Sequence, residues 1–208
     1  MMAHAREVGG SPMSVLAVAF SKAVQKVHPE NTRPIRLMSP VSIRKVMGNT
    51  ASLLHQVVHA PYSFDAADLT GKDDAALHTA YRSFLKGFSS EQNIKMLSGV
   101  YRGICEGYTK AYAYGALDKV TMEQRGKAGL SIVVSYMGTL RTGDYGNRIR
   151  MKVLHAMPEK GMMLQMTEVG DTFYIDWYQG FHDAVYVCAM RDVLAGMGMK
   201  GLRVERVE

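Results

Sequence analysis

The sequence has few of the features that mark secreted or membrane-spanning chains. Its only cysteines, Cys105 and Cys188, lie in apolar helical patterns, so we expect buried thiols rather than a disulfide or a nucleophile. The longest apolar stretch, residues 12–20, is interrupted by Ser14 and falls short of the roughly 20 residues that a membrane span requires. The N-terminus has no long apolar region behind a basic flank, which argues against a signal peptide. We therefore expect a soluble, cytoplasmic protein with no membrane span.

Long runs of basic residues are missing as well. The net charge of +6 and the isoelectric point near 9.3 raise the question of nucleic-acid binding. The basic side chains are scattered along the chain, however, and form no cluster of the kind that follows a phosphate backbone. A generic basic surface or affinity for an anionic ligand explains the charge equally well, so we expect no nucleic-acid partner.

Several catalytic and metal-binding patterns are absent. The sequence contains no glycine-rich phosphate loop, no CxxC pair and no nucleophile elbow. His55 and His59 are spaced like a metal pair, but in a strand they stand about 13 Å apart, so we interpret them as half-exposed sheet residues. His182 and Asp183 are adjacent on a helix, where neighbours point about 100° apart, and cannot form a base and its orienting carboxylate. We expect no metal site.

What the sequence does contain is material for a core: 208 residues, of which 47% are hydrophobic and 21% charged. The pair Ser11-Pro12 predicts a helix start, and this helix should end before Pro29. The later predicted segments are a strand at residues 35–38 broken at Pro40, an extended segment at 51–60 closing at Pro61, a polar loop at 65–72, and two amphipathic helices. The helical stripes, which usually pack in a core, are Leu77, Tyr81, Phe84, Leu85 and Phe88, then Ile94, Leu97, Tyr101, Ile104, Cys105, Tyr108 and Tyr112.

The C-terminal 80 residues change to strand patterns. The predicted strands are 130–137, 149–155, 162–168, 172–178 and 202–207, with a hairpin turn through residues 169–171 and a helix at 182–194. Helices and strands interleave without strict alternation, which predicts an α/β or α+β fold with a mixed β-sheet flanked by helices. No linker interrupts the chain, so residues 1–208 are expected to form one unit.

Three segments carry a family resemblance. They read PMSVLAVAF at residues 12–20, MSPVSIR at 38–44 and MGNT at 47–50. Their order resembles the opening of the second half of condensation domains and related alcohol acyltransferases, the superfamily of chloramphenicol acetyltransferase. In that family a helix similar to TPFSVLLAAF leads to a strand ending in Pro-Val-x-x-Arg, and a Gly and an Asn follow. The resemblance continues through residues 135–138 and 176–183 and covers nearly the whole chain.

The resemblance implies a pseudo-dimer of two similar halves with the active site in a tunnel between them. The second His of a His-His-x-x-x-Asp-Gly motif in the N-terminal half would deprotonate an alcohol or amine, which attacks a CoA or phosphopantetheinyl thioester. That motif is absent here, and its nearest analogue, residues 180–186, has neither the Asp nor the Gly at the places that the motif requires. The chain would then be a C-terminal half, inactive alone and prone to self-association, with the N-terminal half and a carrier protein as partners and no covalently bound cofactor. The alternative is a non-catalytic binding or assembly module that retains the fold.

The resemblance transfers a role to three residues. Arg44 matches an arginine that pairs with the motif Asp of the other half, and the alternative is a surface arginine. Asn49 matches an amide that lines the tunnel, and the alternative is a turn asparagine. Ser135 lies where some members place a hydroxyl that stabilises the oxyanion, and the alternative is a serine on a half-buried strand. None of the three is expected to transfer a proton.

Overall fold

The computed structural model describes residues 1–48, 57–119, 132–139 and 162–206. The helices in these ranges are α1 (Met2–Glu7), α2 (Pro12–Val27), α3 (Ala66–Gly71), α4 (Asp74–Phe88), α5 (Glu91–Ala113) and α6 (Val185–Gly196). The strands are β1 (Ile35–Ser42), β2 (Val57–Phe64), β3 (Ile132–Thr139), β4 (Met163–Val169) and β5 (Thr172–Tyr178).

The strands form one mixed sheet in the order β2-β1-β3-β4-β5. The central pairs, β1 with β3 and β3 with β4, are parallel, whereas β1 with β2 and β4 with β5 are antiparallel. The last two strands form the predicted hairpin, and Gly170 in its turn has a φ of 58°, a conformation that glycine adopts without steric cost. The predicted mixed sheet flanked by helices is therefore confirmed.

Helix α2 is the centre of the core. The Ser11 side chain accepts a hydrogen bond from the Ser14 amide, and the Ser14 side chain accepts one from the Ser11 amide, which together satisfy two free N–H groups at the helix start. Every residue from Ser14 to Ser21 is buried, and the ring of Phe20 lies 5.4 Å from that of Trp177 on β5. Helix α6 packs beside α2 through the buried side chains of Ala189, Met190 and Leu194. The predicted helix and its end before Pro29 are confirmed.

Helix α4 covers the same surface of the sheet at the β1–β2 side. Asp73 caps it by accepting a hydrogen bond from the Ala76 amide at 2.6 Å, and aspartate is a favoured residue at this position. Tyr81 is fully buried against Tyr62 of β2 and shares a hydrogen bond with the Ser39 hydroxyl of β1. The sheet is thus covered on one surface by α2 and α4.

Two prolines that we expected to end strands lie inside them. β1 continues through Pro40 to Ser42 and β2 continues through Pro61 to Phe64. In the described residues β1 pairs with β3 only at Leu37 and Met38, so Pro40 lies where the strand has one paired neighbour. Pro61 lies on an outer strand of the described sheet. A missing N–H costs least at such positions, and the predicted strand breaks were wrong.

Two further segments differ from the prediction. Residues 66–71, predicted to be loop, form helix α3, because Ala66 and Leu69, three residues apart, both bury their side chains. Residues 202–206, predicted to be a strand, have no strand structure. Leu202 and Val204 alternate, but Leu202 is only partly buried and Val204 is 48% exposed, so the segment has no buried face. The predicted strand at 149–155 and residues 51–56 lie outside the described ranges.

Helix α5 is the largest exception to the predicted core. Ile94 is buried, but Tyr101 and Ile104 are 40% and 45% exposed and Tyr112 is 74% exposed. Cys105, which we expected to be buried, is also exposed, and Cys188 is half-buried. Helical periodicity reports that a helix has an apolar face but not what covers that face. No helix in the described part of the chain is long and apolar enough to cross a membrane.

The buried imidazole of His78 makes stability depend on pH. His78 on α4 is fully buried beside the ring of His4, and burial lowers its pKa from 6.5, although the Asp74 carboxylate acts in the opposite direction. The unfolded chain therefore binds a proton at a higher pH than the folded chain does. We expect the free energy of unfolding to be highest above about pH 6.5 and to fall as the pH drops below that value.

Urea denaturation between about pH 8 and pH 5.5 tests this expectation. His78→Gln should remove part of the pH dependence, because the variant has no imidazole to protonate at that position. The matched control is His182→Gln, since His182 is exposed. Equal slopes of unfolding free energy against pH in wild type and His78→Gln would show that another group is responsible.

Candidate functional site

The sheet surface opposite α2 and α4 carries a row of polar side chains. Ser135 of β3 is the register partner of Gln165 of β4, and Gln165 is the partner of Asp176 of β5. Register partners project to the same side of a sheet. Leu164 and Met166, on either side of Gln165, lie in the core, so the row projects away from α2. With neighbouring strands about 4.8 Å apart, it spans about 10 Å. We call the three residues the polar row and this surface the far face.

The polar row is buried to a degree that is unusual for uncompensated polar groups. Ser135 is 4% exposed, Gln165 is 3% exposed, and Thr167, two residues further along β4, is 4% exposed. Thr167 Oγ1 and Asp176 Oδ2 are buried and have no hydrogen-bond partner within the described residues. An unpaired buried group costs about 1–3 kcal/mol. A ligand that formed hydrogen bonds with these two atoms would remove this cost, and the free energy recovered would favour its binding.

The Asp176 carboxyl is chemically distinct from a surface aspartate. Its side chain is partly buried at the end of the polar row, and burial raises its pKa above the usual value of 3.8. Because a raised pKa favours the protonated form, this carboxyl keeps its proton to a higher pH than an exposed aspartate. It can then donate a hydrogen bond as an acid or accept one as a carboxylate.

The Ser135 hydroxyl makes only a weak bond. Ser135 Oγ donates to Met137 Sδ at 3.8 Å, and a thioether sulfur is a poor acceptor. Met137 itself is 63% exposed, so its side chain is free to move away. The hydroxyl can therefore be redirected to a stronger acceptor at little cost.

An apolar row runs beside the polar row on the far face. Met38, Val133, Met163 and Tyr178 are successive register partners across four strands. They lie two residues from the polar row, before it on β3 and β4 and after it on the antiparallel β5, a separation of about 6.6 Å. A ligand with an apolar tail and a polar reactive group fits two such neighbouring rows. Flexible methionine side chains also suit an apolar wall that adapts to different tails.

Two of the three predicted site residues lie in the described part of the chain. Ser135 lies in the polar row, and Arg44 is half-buried in the turn directly after β1. β1 and β3 are parallel, so their C-terminal ends lie at the same edge of the sheet. Arg44 directly follows β1 at this edge, and β3 runs toward the same edge from Ser135. Asn49 lies outside the described residues.

The histidines of the described residues do not form a catalytic pair. His59 is half-buried on β2, as expected, whereas His55 lies outside the described ranges. Asp183 Oδ1 accepts a hydrogen bond from the Val185 amide at the start of α6, and His182 Nδ1 lies 3.4 Å from the Arg206 guanidinium. The Asp183 carboxylate is therefore hydrogen-bonded to the first amide of α6, one residue after the N-cap Ala184, rather than to His182. Within the described residues no group of three or more His, Cys, Asp or Glu side chains could hold a metal ion.

Sequence reasoning missed Gln165, Thr167 and Asp176. Their signal was the alternation of the hairpin, in which the polar residues Gln165 and Thr167 alternate along β4 with the core residues Leu164 and Met166. The alternation shows that both point to one side. It does not show that β3 aligns Ser135 with them, because parallel pairing across a long connection has no local sequence signal.

Comparison with known proteins identifies the fold. No protein-family model matches the chain, and no curated protein matches it. Solved structures do match, among them a chain from work on condensation-domain-mediated chain release from the enacyloxin polyketide synthase. That match has a TM-score of 0.57 and 9% sequence identity, and it covers 100% of this chain and 40% of the solved chain.

The match supports a statement about fold alone. The described helices and sheet have the architecture of part of a condensation domain, and they span 40% of the length of the solved chain. This extent is consistent with a half domain, as the segment order predicted. The resemblance in fold is thereby confirmed.

Proposed function

We propose that this chain forms one lobe of a two-lobed acyltransferase. The enzyme would move an acyl group from a CoA or phosphopantetheinyl thioester to an alcohol or amine. The observation that carries this proposal is the match in fold to a condensation domain over the whole chain. The buried polar row supports it, because Ser135 occupies that row together with an amide and a carboxyl. The second lobe, on this polypeptide or another, would supply the proton acceptor.

The proposed reaction is attack on a thioester carbonyl. The acceptor's oxygen or nitrogen bonds to the carbonyl carbon, and the carbonyl oxygen becomes an oxyanion. A histidine of the second lobe takes the acceptor's proton and passes it to the sulfur as the C–S bond breaks, which releases a thiol. The Ser135 hydroxyl and the Gln165 amide would donate hydrogen bonds to the oxyanion, a role that requires fixed donors in a site shielded from water.

The remaining features of the far face would hold the donor. The apolar row of Met38, Val133 and Met163 would line the acyl chain, next to the reacting carbonyl at the polar row. The net charge of +6 would favour the phosphates of CoA or the acidic surface of a carrier protein. Asn49 would line the tunnel, as the family resemblance implies.

We expect no acyl transfer from the isolated chain. Purified chain incubated with an acyl-CoA and an alcohol or amine should release no thiol above background, because the proposed proton acceptor is in the other lobe. Adding a lobe that carries His-His-x-x-x-Asp-Gly should produce thiol and acylated acceptor, measured by colorimetric thiol release and mass spectrometry. The control is the same lobe with its second motif His changed to Ala.

Two outcomes would reject this assignment. Robust thiol release by the isolated chain would show that the proton acceptor has been misplaced. A chain that binds thioester analogues on the far face but supports no transfer with any motif-bearing lobe would instead fit a non-catalytic binding or assembly module with the same fold.

Arg44 would act by positioning the second lobe's motif. Through an ion pair with the motif Asp it would orient the histidine loop, and small displacements of a reacting group cost large factors in rate. Arg44→Ala should leave the folding of the isolated chain unchanged and lower the kcat of the two-lobe enzyme about 10-fold or more. Arg36→Ala, an exposed arginine on β1, is the matched control. Equal kcat in the Arg44 variant and wild type would remove Arg44 from the site.

A further inference from the structure

Helix α5 carries an apolar stripe that the described chain leaves uncovered. Leu97, Tyr101, Ile104 and Tyr108 recur at alternating spacings of four and three residues, which places them on one side of the helix. Tyr101 and Ile104 are 40% and 45% exposed, and Leu97 and Tyr108 are half-buried. The helix contacts α4, and Ile94 in its first turn is buried, so the N-terminal end is attached to the molecule while the stripe extends beyond it. We call these four residues the α5 seam.

Glycines outside the seam lower the intrinsic helical stability of α5. Gly99 and Gly103 lie on the side of the helix opposite the seam and Gly107 lies at the edge of the seam, and a Cβ added at any of the three would meet nothing within 4 Å. Glycine is among the poorest helix formers, so this part of α5 has little intrinsic helical stability. Most helical stability in proteins comes from packing of an apolar face. A helix with three interior glycines therefore depends on a partner for its seam.

We infer that the α5 seam pairs with the α5 seam of a second copy of this chain, in antiparallel orientation. In the register that centres the seam on itself, Leu97 lies against Tyr108 of the second copy and Tyr101 lies against Ile104. Every layer then combines one ring with one aliphatic side chain, which fills space evenly. A parallel pair would instead place Tyr101 against Tyr101 and Tyr108 against Tyr108. The layers between them would contain only aliphatic side chains and would fill less space.

The attachment of α5 favours the same orientation. Its first turn is buried against the molecule at Ile94, whereas Tyr112 near its C-terminal end is 74% exposed. Antiparallel pairing places the two attached ends of α5 at opposite ends of the helix pair, which keeps the two molecules apart. Parallel pairing would bring both molecules to the same end.

Charge gives no reason for the seam to reject its own copy. The positions that flank it from residue 98 to residue 112 are Ser98, Val100, Cys105, Gly107 and Tyr112, all of them uncharged. Charged flanks are the device by which paired helices select or refuse a partner. The charged side chains Lys95, Arg102, Glu106 and Lys110 are exposed on the rest of the helix. The shapes of the seam side chains therefore determine the partner, and the ring-against-aliphatic layers make the seam complementary to a second copy of itself.

The size of the interface predicts a weak dimer. Two seams contribute four tyrosines and four aliphatic side chains, which together with the flanking residues would bury roughly 1,000 Å². That area is at the lower limit for a specific interface. We expect a dissociation constant in the micromolar range.

Light scattering coupled to size exclusion, over a series of protein concentrations, tests the dimer. The wild-type chain should change from monomer to dimer as the concentration rises, and Ile104→Glu should remain monomeric at a 100-fold higher concentration. Gly103→Ala, on the opposite side of α5, should leave the dimer intact and raise the thermal midpoint. Circular dichroism at low concentration verifies that each variant is folded. A wild-type monomer at all concentrations, or a dimer that Ile104→Glu leaves unchanged, would overturn the inference.

Disulfide trapping tests the orientation. The proposed register places position 98 beside Cys105 of the second copy, whereas within one helix these positions are seven residues apart, too far for a disulfide. Ser98→Cys in a Cys188→Ser background should give a covalent dimer on mild oxidation. Gly103→Cys with Cys105→Ser and Cys188→Ser places the thiol on the opposite side and should not. Efficient cross-linking at position 103 with none at 98 would overturn the antiparallel seam.

Discussion

Replacing Tyr81 with alanine is expected to lower the free energy of unfolding by about 4 kcal/mol. The side chain is 0% exposed, and its ring lies 5.0 Å from that of Tyr62 and 5.8 Å from that of Phe64. Burial raises the pKa of Tyr81 to about 12, so its hydroxyl stays protonated and hydrogen-bonded to Ser39. Alanine would leave a cavity between α4 and the antiparallel strands β1 and β2, together with an unpaired Ser39 hydroxyl.

A double-mutant cycle separates the ring from the hydroxyl. Tyr81→Phe should cost about 1–2 kcal/mol, because it leaves the buried Ser39 hydroxyl without its partner. Combining it with Ser39→Ala should recover part of that loss, since both polar groups are then absent. Urea denaturation gives all four values, and Tyr114→Ala, at 86% exposed, should change stability by less than about 0.5 kcal/mol. A Tyr81→Ala loss as small as that of Tyr114→Ala would show that α4 does not pack as described.

Replacing Ser135 with alanine is expected to lower the kcat of the two-lobe enzyme about 100-fold. The serine is 4% exposed in the polar row, and its proposed hydrogen bond forms only when the carbonyl oxygen becomes an oxyanion. Loss of such a donor lowers kcat and kcat/KM together and leaves KM nearly unchanged. Alanine removes only one oxygen, so the strand should keep its packing.

The matched control is Ser63→Ala, an exposed serine on β2 of the same sheet. It should leave both kcat and KM at their wild-type values. A rise in KM with constant kcat in Ser135→Ala would assign Ser135 to substrate binding rather than to the oxyanion. Wild-type kinetics would make it a structural serine, which was the alternative interpretation of the sequence.

The sequence predicted the start of α2 because helix capping is local chemistry. Ser11 and Asp73 cap their helices through side-chain oxygens within three residues. The β4–β5 hairpin was equally readable, since strand alternation and the turn glycine lie within one short segment. These features require no information about distant parts of the chain.

Tertiary context decided the features that the sequence could not predict. Pro40 and Pro61 lie in strands because each occupies a position with few paired neighbours, which depends on strand order rather than on the local residues. The α5 residues Tyr101, Ile104 and Cys105 have a core-like period but are exposed, because no described element lies against them. Propensity and periodicity contain no such information.

The candidate site was only partly predictable for the same reason. Ser135 and Arg44 were found through segments that resemble a family, whereas Gln165 and Asp176 join them only through the register of β3 with β4 and of β4 with β5. Parallel register is set by packing over long connections. A site that is assembled across three strands can therefore be recognised only when the strand order and register of the sheet are known.

Methyl resonances of the methionines give the most direct test that the far face is the substrate wall. Met38 and Met163 lie in its apolar row, whereas Met166 and Met190 are buried on the helix side. The chain labelled with ¹³C at the methionine methyl groups would be titrated with a ketone analogue of an acyl-pantetheine, in which a methylene replaces the sulfur. We predict saturable shifts at Met38 and Met163 and none at Met190. Shifts confined to Met166 and Met190, or no saturable shift at any far-face methionine, would contradict the account.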